Sequence, residues 1–251
     1  MTRIAVNGAA GRMGQTVIET AADREDLDVV VGFDIDAGEV EGVPVVADDV
    51  AGALTEYDVD VVVDFSIPES TLPLAQACVA AGVGLVVGTT GFDADGLADL
   101  DAASESVPLL KATNFSRGIQ VLQRTVREAV RALDDYDLEL MESHHNQKVD
   151  APSGTAKTLL EVVQSERDVE PVYGREGDAP REDDEIGVFA RRAGDIRGEH
   201  EVVLADNDEV LTLTHRAEDR GVFAEGALDA AVWLADRNPG WYTFGDVIDD
   251  T

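Results

Sequence analysis

The first half of the chain repeats short, nearly uninterrupted runs of branched apolar residues, and these runs limit the possible fold more than any other feature. The runs are Leu27–Asp34 (LDVVVGFD), Val59–Ser66 (VDVVVDFS), Val83–Gly88 (VGLVVG) and Val107–Ala112 (VPLLKA). Helical patterns separate the later runs, at Pro68–Ala81 and Asp93–Ser106. Apolar strands that alternate with helices are typical of a parallel sheet with helices on both faces. The sequence therefore predicts a doubly covered α/β domain.

A glycine-rich turn joins the first predicted strand, Arg3–Asn7, to the first predicted helix, Gly11–Ala22. Glycines stand at positions 8, 11 and 14, where a missing Cβ lets a phosphate group approach backbone N–H groups at the start of a helix. Asp34 ends the next strand, 20 residues after Gly14, where an acidic side chain accepts hydrogen bonds from ribose hydroxyls. This context predicts a dinucleotide site, although the GxxGxxG spacing also suits a tight turn that binds nothing.

The residues around Asp34 bear on the choice between the two nicotinamide cofactors. A carboxylate here repels the 2′-phosphate of NADP, and the next residues, Ile35 and Asp36, carry no positive charge. Arg12, at the start of the first helix, can still help to hold a phosphate. The pattern favours NAD over NADP.

After Asn114 the order of the predicted elements changes. A helix at Ile119–Leu133 leads to a strand at Asp137–Ser143, a polar run, a helix at Thr155–Ser165 and a charged loop at Glu170–Asp184. Three strands then follow without helices between them, before a final Ala-rich helix; these elements are Ile186–Arg191, Glu201–Ala205, Val210–His215 and Phe223–Ala235. Consecutive strands of this kind predict a second domain with an open, partly antiparallel sheet.

The polar run Glu142–Lys157 (ESHHNQKVDAPSGTAK) holds two of the four histidines and two of the three lysines. Ser153-Gly154-Thr155 can begin a helix after Pro152, and the helix N-terminus would offer N–H groups and a positive dipole to an anion. Lys148 and His145 could add positive charge there, and His144 could transfer a proton near neutral pH. The alternative is a solvated loop whose histidines bond locally, but the concentration of these residues argues against it.

No metal site is predicted, because the adjacent histidines point to opposite sides of a strand and no third ligand has a suitable spacing. The single cysteine, Cys78, lies in an Ala-rich helix and is interpreted as a small core residue. His200 and His215 stand alone in strands and are interpreted as structural.

The chain is strongly acidic, with 52 Asp and Glu against 19 Lys and Arg and a formal net charge of −33. A negative surface argues against nucleic acid as a partner. No apolar run approaches the roughly 20 residues that cross a bilayer, and the first residues lack a secretory pattern, so a cytoplasmic protein is expected. The acidic residues are spread along the whole sequence, and only three basic residues are Lys. Concentrated salt screens such repulsion, which suggests a halophilic source.

Taken in order, several segments of the chain resemble the dihydrodipicolinate reductase family. They are Gly8–Gly14 (GAAGRMG), Asp64–Pro68 (DFSIP), Gly88–Phe92 (GTTGF), Ala112–Ser116 (ATNFS), Glu142–Ala156 (ESHHNQKVDAPSGTA) and Arg192–His200 (RAGDIRGEH). The resemblance implies reduction of 4-hydroxy-tetrahydrodipicolinate, a cyclic dicarboxylate, with NADH or NADPH in the diaminopimelate route to lysine. It also implies a Rossmann-like nucleotide domain, 1–113 with 223–251, and a mixed α/β domain, 114–222, that binds substrate and builds a homotetramer.

The resemblance further assigns roles to individual residues. His144 matches the family's proton donor and acceptor, and Lys148 matches its second proton donor. Substrate contacts fall on His145, Gly154 and Thr155. Cofactor contacts fall on Gly8, Ala9, Ala10, Gly11, Arg12, Met13, Asp34, Gly88, Thr89, Thr90, Ala112, Thr113, Asn114 and Phe115. One departure is Ile35, because some members carry Arg directly after the ribose-binding acid, and the missing cation argues against NADPH.

Two other functions compete with this interpretation. Another two-domain nicotinamide enzyme, such as an amino-acid or semialdehyde dehydrogenase, would share the glycine turn but has no need of the HHNQK…SGT cluster. A nucleotide-binding sensor without catalysis would also share the turn, and the presence of both His144 and Lys148 argues against it.

Overall fold

The computed structural model of the protein describes residues 1–250. Its strands are β1 (Thr2–Asn7), β2 (Leu27–Phe33), β3 (Gly38–Val40), β4 (Val43–Val46), β5 (Val61–Asp64), β6 (Gly84–Val87), β7 (Pro108–Lys111), β8 (Asp137–His144), β9 (Glu170–Tyr173), β10 (Glu185–Arg192), β11 (Glu199–Asp206), β12 (Glu209–Arg216) and β13 (Gly240–Tyr242). Its helices are α1 (Arg12–Ala21), α2 (Val50–Glu56), α3 (Pro68–Ala81), α4 (Ala94–Ser104), α5 (Arg117–Ala132), α6 (Gly154–Glu166), α7 (Gly221–Leu234) and α8 (Phe244–Asp249).

The described chain forms two compact units, one of residues 1–116 with 220 onwards and one of residues 117–219. The first unit contains an eight-stranded sheet in the order β13-β7-β6-β5-β1-β2-β4-β3, parallel except for the β3–β4 pair. Apolar residues of α1, α7 and α8 pack on one face, and those of α2, α3 and α4 pack on the other. Burial on both faces explains why these strands are continuous Val and Leu runs.

The order of the strands places a topological switch point beside β1. From β1 the chain adds β2 and β4 on one side and then returns to β5 on the other side of β1. Crossover loops leave in opposite directions at such a point, and a crevice opens at the carboxyl ends of the two strands. The glycine turn after β1 and the polar end of β5 therefore lie at the place where doubly wound sheets bind ligands.

The second unit contains a five-stranded mixed sheet in the order β12-β11-β8-β10-β9. β11 runs antiparallel to both neighbours, whereas β10 runs parallel to β8 and β9. Helices α5 and α6 cover one face and bury Leu138, Leu140 and Val202 against their own apolar residues. β8 is the central strand of this sheet, so a polar side chain on its helix-facing side is enclosed.

Both predicted sheets are confirmed, and the bounds of α3 are those expected from the sequence. The interpretation of Glu170–Asp184 as loop was wrong in part, because Glu170–Tyr173 forms the edge strand β9. Short elements at 38–56 and near the end of the chain had no counterpart in the sequence interpretation. Cys78 is fully buried in the core of the first unit, as expected, and burial raises the pKa of its thiol.

Candidate functional site

The glycine turn of the first unit has a conformation and packing that its glycines make possible. Gly8 has a φ of +76°, which other residues rarely adopt. At Gly14 a Cβ would lie 2.1 Å from the Gly8 carbonyl oxygen, so helix α1 crosses the turn at a distance only glycine allows. The spacing of the glycines is thus explained by backbone geometry, and a ligand is indicated by the groups around the turn.

Asp34 follows β2 and turns its carboxylate toward the glycine turn. The backbone N–H groups of Ala10 and Ile35 each donate a hydrogen bond of 2.8 Å to this carboxylate. Ala10, Gly11 and Arg12 are exposed where α1 begins, and Asp34 is half-buried. A carboxylate with remaining acceptor capacity next to the exposed N-terminus of a helix suits a ribose joined to a pyrophosphate. These residues fit a dinucleotide.

The other predicted cofactor segments follow neighbouring strands of the same sheet. Gly88–Thr90 follows β6, and Ala112–Phe115 follows β7. The Thr89 hydroxyl accepts a hydrogen bond of 2.8 Å from the backbone N–H of Ser66. Phe115 is 2 % exposed and packs between Phe65 and Phe244, so its side chain serves the core. The structure brings these segments to one edge of the sheet, while Ala9 and Phe115 can offer a ligand only backbone atoms.

A buried carboxylate that sequence reasoning missed organises this edge. Asp64, at the end of β5, is fully buried and accepts hydrogen bonds from Asn7, Ser66 and Thr71 at 2.6–2.7 Å. Asn7 ends β1, so the network links the carboxyl ends of the two strands at the switch point. The motif DFSIP carried the signal, but its contacts depend on strand order.

In the second unit, the polar site is built at the carboxyl end of β8. Side chains alternate along a strand, so Glu142 and His144 share the helix-facing side with Leu138 and Leu140. Glu142 is fully buried, and His144 is 9 % exposed. The imidazole Nδ1 of His144 lies 2.5 Å from Oε2 of Glu142. The site thus places an ionisable pair where the apolar core ends.

Arg192 holds the Glu142 carboxylate with two hydrogen bonds. Its guanidinium donates to Oε2 at 2.8 Å and to Oε1 at 2.7 Å, and the backbone N–H of Ser153 donates to Oε1 at 3.0 Å. Burial acts to raise the pKa of Glu142, but the hydrogen bonds and charges of His144 and Arg192 outweigh it and lower the pKa to about 2. Glu142 is therefore a carboxylate at neutral pH.

His200 is not isolated, because the fold brings it into this cluster, while its interpretation as a structural residue stays a prediction. It lies opposite Glu142 in the β8–β11 register, and its ring centroid is 5.2 Å from that of His144. Its Nε2 is 3.0 Å from the Ser153 hydroxyl, and within residues 1–250 its Nδ1 has no hydrogen-bond partner. Burial, followed by the charge of His144, lowers the pKa of His200 to about 3, so the ring is neutral. His215 lies opposite it on β12.

The loop after β8 carries Lys148, and backbone hydrogen bonds join this segment to the loop after β10. The N–H of Ala193 donates to the His144 carbonyl at 2.9 Å, and the N–H of Asn146 donates to the Gly194 carbonyl at 3.1 Å. Lys148 is half-buried, and its Nζ lies 2.8 Å from Oδ1 of Asp150. Partial burial acts to raise the pKa of Asp150, but the hydrogen bond and charge of Lys148 outweigh it and lower that pKa. The segment RAGDIRGEH thus contributes backbone as well as Arg192 and His200.

Helix α6 begins beside these residues, as the sequence predicted. Ser153 is its N-cap, and the Ser153 hydroxyl accepts a hydrogen bond of 3.2 Å from the backbone N–H of Ala156. Gly154 and Thr155 form the first turn, so the positive end of the helix dipole lies next to the Glu142–His144 pair. His145 directly follows β8 and is half-buried, and its carbonyl accepts from the N–H of Lys148 at 3.2 Å. The predicted catalytic and substrate residues therefore come together.

The sequence interpretation gave no role in this cluster to Glu142, Arg192 or His200, and it assigned Ser153 only to the start of a helix. For Glu142 a signal existed, because it precedes His144 by two residues, the spacing that puts two side chains on one face of a strand. The predicted strand ended at Ser143, one residue short of His144, whereas β8 includes both. Arg192 and His200 depend on the pairing of β8 with β10 and β11, which no local pattern specifies. Over residues 1–250, no three His, Cys, Asp or Glu side chains are grouped so that they could hold a metal ion.

Comparisons with known proteins cover both units. The family model described as "Dihydrodipicolinate reductase, N-terminus" matches residues 2–115, and that described as "Dihydrodipicolinate reductase, C-terminus" matches residues 118–248. A protein of Haloarcula marismortui named 4-hydroxy-tetrahydrodipicolinate reductase is 72 % identical over 99 % of this chain and 100 % of its own. A protein of Natronomonas pharaonis with the same name is 52 % identical over 98 % and 99 %.

Solved structures show the same fold. Dihydrodipicolinate reductase from Paenisporosarcina sp. TG-14, with dipicolinate bound, superposes with a TM-score of 0.80 at 22 % identity, over 97 % of each chain. GenD2 from gentamicin A biosynthesis, in complex with NAD, superposes with a TM-score of 0.66 at 16 % identity, over 98 % of this chain and 90 % of its own. The two family models, the two full-length relatives and the fold agree: the chain belongs to the dihydrodipicolinate reductase family.

Proposed function

We propose that this chain reduces 4-hydroxy-tetrahydrodipicolinate to tetrahydrodipicolinate with a nicotinamide nucleotide, in the diaminopimelate route to lysine. The observation that carries the proposal is the cluster at the end of β8, where His144, paired with Glu142, meets Lys148 and the first turn of α6. The reaction is the one for which the matching family and the relative from Haloarcula marismortui are named. The cluster supplies the two things that reaction needs from a protein, cations for a dicarboxylate and a group that transfers a proton.

The dicarboxylate substrate would be held by positive charge and by a helix terminus. Lys148 is one of only three lysines in a chain of net charge −33, and it is half-buried beside the site. The first turn of α6, with Gly154 and Thr155, adds the positive end of a helix dipole. His145 would complete the set from the other end of the loop. Lys148 would leave Asp150 for a substrate carboxylate, since its present ion pair is partly exposed and worth little.

His144 would supply the proton that accompanies hydride addition. The substrate takes up one hydride and one proton and loses one water, so a group at the ring must donate a proton near neutral pH. His144 is held by Glu142 through Nδ1, and its Nε2 lies beside Gly198, where an added Cβ would come within 3.2 Å of that atom. A side chain at position 198 would press on Nε2, and glycine avoids that contact. Lys148 would act as the second proton donor.

The glycine turn, Asp34 and the segments after β6 and β7 would hold the nicotinamide nucleotide. The exposed start of α1, at Gly11 and Arg12, suits the pyrophosphate, and Asp34 suits the adenosine ribose. Gly88–Thr90 and Ala112–Phe115 line the same edge of the sheet. When bound, the cofactor supplies the hydride; the protein aligns it and sets the charge around it.

We further propose that NADH is preferred to NADPH. Asp34 places a negative charge where the 2′-phosphate of NADPH would lie, and the next side chain, Ile35, is 88 % exposed and apolar. A phosphate there would meet a carboxylate with no adjacent cation in the sequence to offset it. The ratio of kcat/KM for the two cofactors tests this preference, and an equal or larger value for NADPH would contradict it.

The enzyme is also proposed to work as a homotetramer in the cytoplasm of a cell that tolerates concentrated salt. Of the described helices of the second unit, none covers the sheet face opposite α5 and α6. A cavity of about 710 Å³ opens there, lined in part by Met141, Tyr173 and Phe189, and a second copy of the chain would bury it. Light scattering in molar salt would give the mass of a tetramer, and a monomer would contradict this. No helix formed by residues 1–250 is both long and apolar enough to cross a membrane.

The decisive test couples NADH oxidation to freshly made condensation product of pyruvate and aspartate semialdehyde, in molar salt. The wild-type chain is expected to oxidise NADH only when both substrates of that condensation have been supplied. A folded protein that binds NADH but shows no substrate-dependent oxidation would defeat the assignment.

A further inference from the structure

Arg192 binds the carboxylate that holds His144, and the proposed reaction gives this guanidinium no role. β8 is the central strand of its sheet, and Glu142 on its helix-facing side is fully buried. An ionised carboxylate in such a place is retained only when hydrogen bonds and charge compensate its lost hydration. Glu142 meets that condition with Arg192, the Ser153 N–H and His144. Of these partners, only the His144 imidazole changes its protonation near neutral pH. A role of the Glu142 charge in holding that imidazole would explain why a carboxylate is buried here.

We propose that Glu142 and Arg192 act together as positioning residues for His144, Glu142 by fixing the proton of the imidazole on Nδ1 and Arg192 by holding Glu142 in place and offsetting its charge. This inference rests on the proposed function for its kinetic consequences. The structural part, the position of one proton, stands apart from turnover.

The geometry decides where that proton lies. The 2.5 Å contact joins His144 Nδ1 to Glu142 Oε2, which Arg192 also binds at 2.8 Å. A carboxylate can only accept, so the proton in the short contact belongs to Nδ1. In the neutral ring Nε2 is then the unprotonated atom, and it is this atom that lies beside the bare backbone of Gly198. The pair therefore leaves Nε2 as the nitrogen of the neutral ring that can take up a proton.

Arg192 limits how strongly Glu142 favours the charged imidazolium. A lone buried carboxylate at this distance would hold His144 protonated and make it a poor donor, because the opposite charge stabilises the cation. The guanidinium offsets the charge of the carboxylate through hydrogen bonds to both of its oxygens. A proton can then leave and return to Nε2 at moderate cost.

The other charged groups near His144 do not reproduce these two effects. On β11, His200 is neutral because its pKa is lowered to about 3, and on β12 burial likewise lowers the pKa of His215. Lys148 is paired with Asp150 in the loop after β8, which leaves that pair with no net charge. Glu142 from β8 and Arg192 from β10 are therefore the charges whose removal should move the titration of His144, in opposite directions.

The test uses magic-angle-spinning NMR of the full chain labelled with ¹⁵N-histidine, whose four rings give a simple spectrum. In the wild type, neutral His144 is expected to carry its proton on Nδ1. In E142Q the midpoint of the His144 titration should move to lower pH by about one unit or more, and in R192M it should move to higher pH by a similar amount. The pH profile of kcat should move in the same directions.

Three further variants keep the test independent of folding. E142Q/R192M removes both charges, avoids an unpaired buried ion, and should return the midpoint to within about half a unit of wild type. R192K retains the charge and should also titrate near wild type. E166Q breaks the Glu166–Arg131 ion pair of α6 and α5 in the same unit and should leave the His144 titration unchanged.

A proton on Nε2 of neutral His144 in the wild type would overturn the proposal, and so would midpoints that move together or not at all in E142Q and R192M. If the NMR results hold but the wild type does not turn over the dicarboxylate substrate, the proposed function fails while the arrangement of the three residues stands.

Discussion

Gly14 offers the sharpest test of the nucleotide site, because a single methyl group there should disturb both packing and binding. In Gly14→Ala the new Cβ would lie 2.1 Å from the Gly8 carbonyl oxygen and 2.8 Å from Cα of Ala9. Ordinary contact begins near 3.4 Å, so α1 and the turn must separate by about 1.3 Å. All of the closest atoms are backbone, so no flexible side chain can move aside to relieve the contact.

The expected cost follows from that displacement. Overpacking of this kind destabilises a protein by about 1–3 kcal/mol, and each kcal/mol lowers the melting temperature by about 2–4 °C in a unit of this size. The same shift would carry the start of α1 away from Asp34, whose hydrogen bond to the Ala10 N–H is 2.8 Å long. We therefore expect the dissociation constant for NADH to rise at least tenfold, which corresponds to about 1.4 kcal/mol.

Fluorescence titration with NADH and thermal melting, both in molar salt, measure the two effects. Gly38→Ala is the matched control, because a Cβ at Gly38 meets nothing within 4 Å, and it should bind and melt like the wild type. If Gly14→Ala melts lower but binds NADH normally, the packing argument holds and the cofactor assignment is wrong. If Gly14→Ala melts at the wild-type temperature and binds NADH with the wild-type affinity, both parts of the reasoning are refuted.

The remaining predictions concern cofactor choice, acid stability and salt. Ile35→Arg should raise kcat/KM for NADPH at least tenfold relative to NADH, because a cation would then adjoin Asp34; an unchanged ratio would contradict the site. Because His200 has a folded pKa of about 3, below its ordinary 6.5, the unfolded chain binds the extra proton. The stability this residue contributes is therefore complete above about pH 6.5 and is lost toward pH 3, by up to about 1.4 kcal/mol per pH unit. His200→Asn should flatten that part of the pH–stability curve measured by denaturant titration. Finally, the net charge of −33 predicts that the melting temperature rises as the NaCl or KCl concentration increases from dilute to molar. A melting temperature that is highest in dilute buffer would contradict the halophilic interpretation.

The parts of the fold that could be predicted from sequence are those with a strong local pattern. β5 and β6 are continuous apolar runs because both of their faces are buried, and α3 begins at a proline and ends before a glycine with positive φ. β9 was missed because it is a four-residue edge strand with a proline, paired on one side only. The short elements from Gly38 to Glu56 were missed because they have three, four and seven residues. Elements this short do not establish the apolar repeat of a strand or of a helix.

The candidate site likewise contains residues that a local pattern predicts and residues that only the fold brings together. His144, Lys148 and the N-terminus of α6 are neighbours in sequence, so a local run of polar residues was enough to single them out. Arg192 and His200 come from strands β10 and β11, whose register beside β8 is set by packing against α5 and α6. A contact such as that between Glu142 and Arg192 depends on the pairing of β8 with β10, and no local sequence pattern predicts it. Asp64 and Asn7 meet for the same reason at the switch point of the first sheet.

The central claim is that His144 transfers the proton in a reduction carried out by this chain, and His144→Gln tests it most directly. Glutamine keeps the size and polarity of the side chain but cannot be a proton donor near neutral pH. With saturating NADH and the condensation product in molar salt, kcat of the variant should fall at least about a hundredfold, while its dissociation constant for NADH stays within about twofold of wild type. A variant that turns over at nearly the wild-type rate would contradict the account.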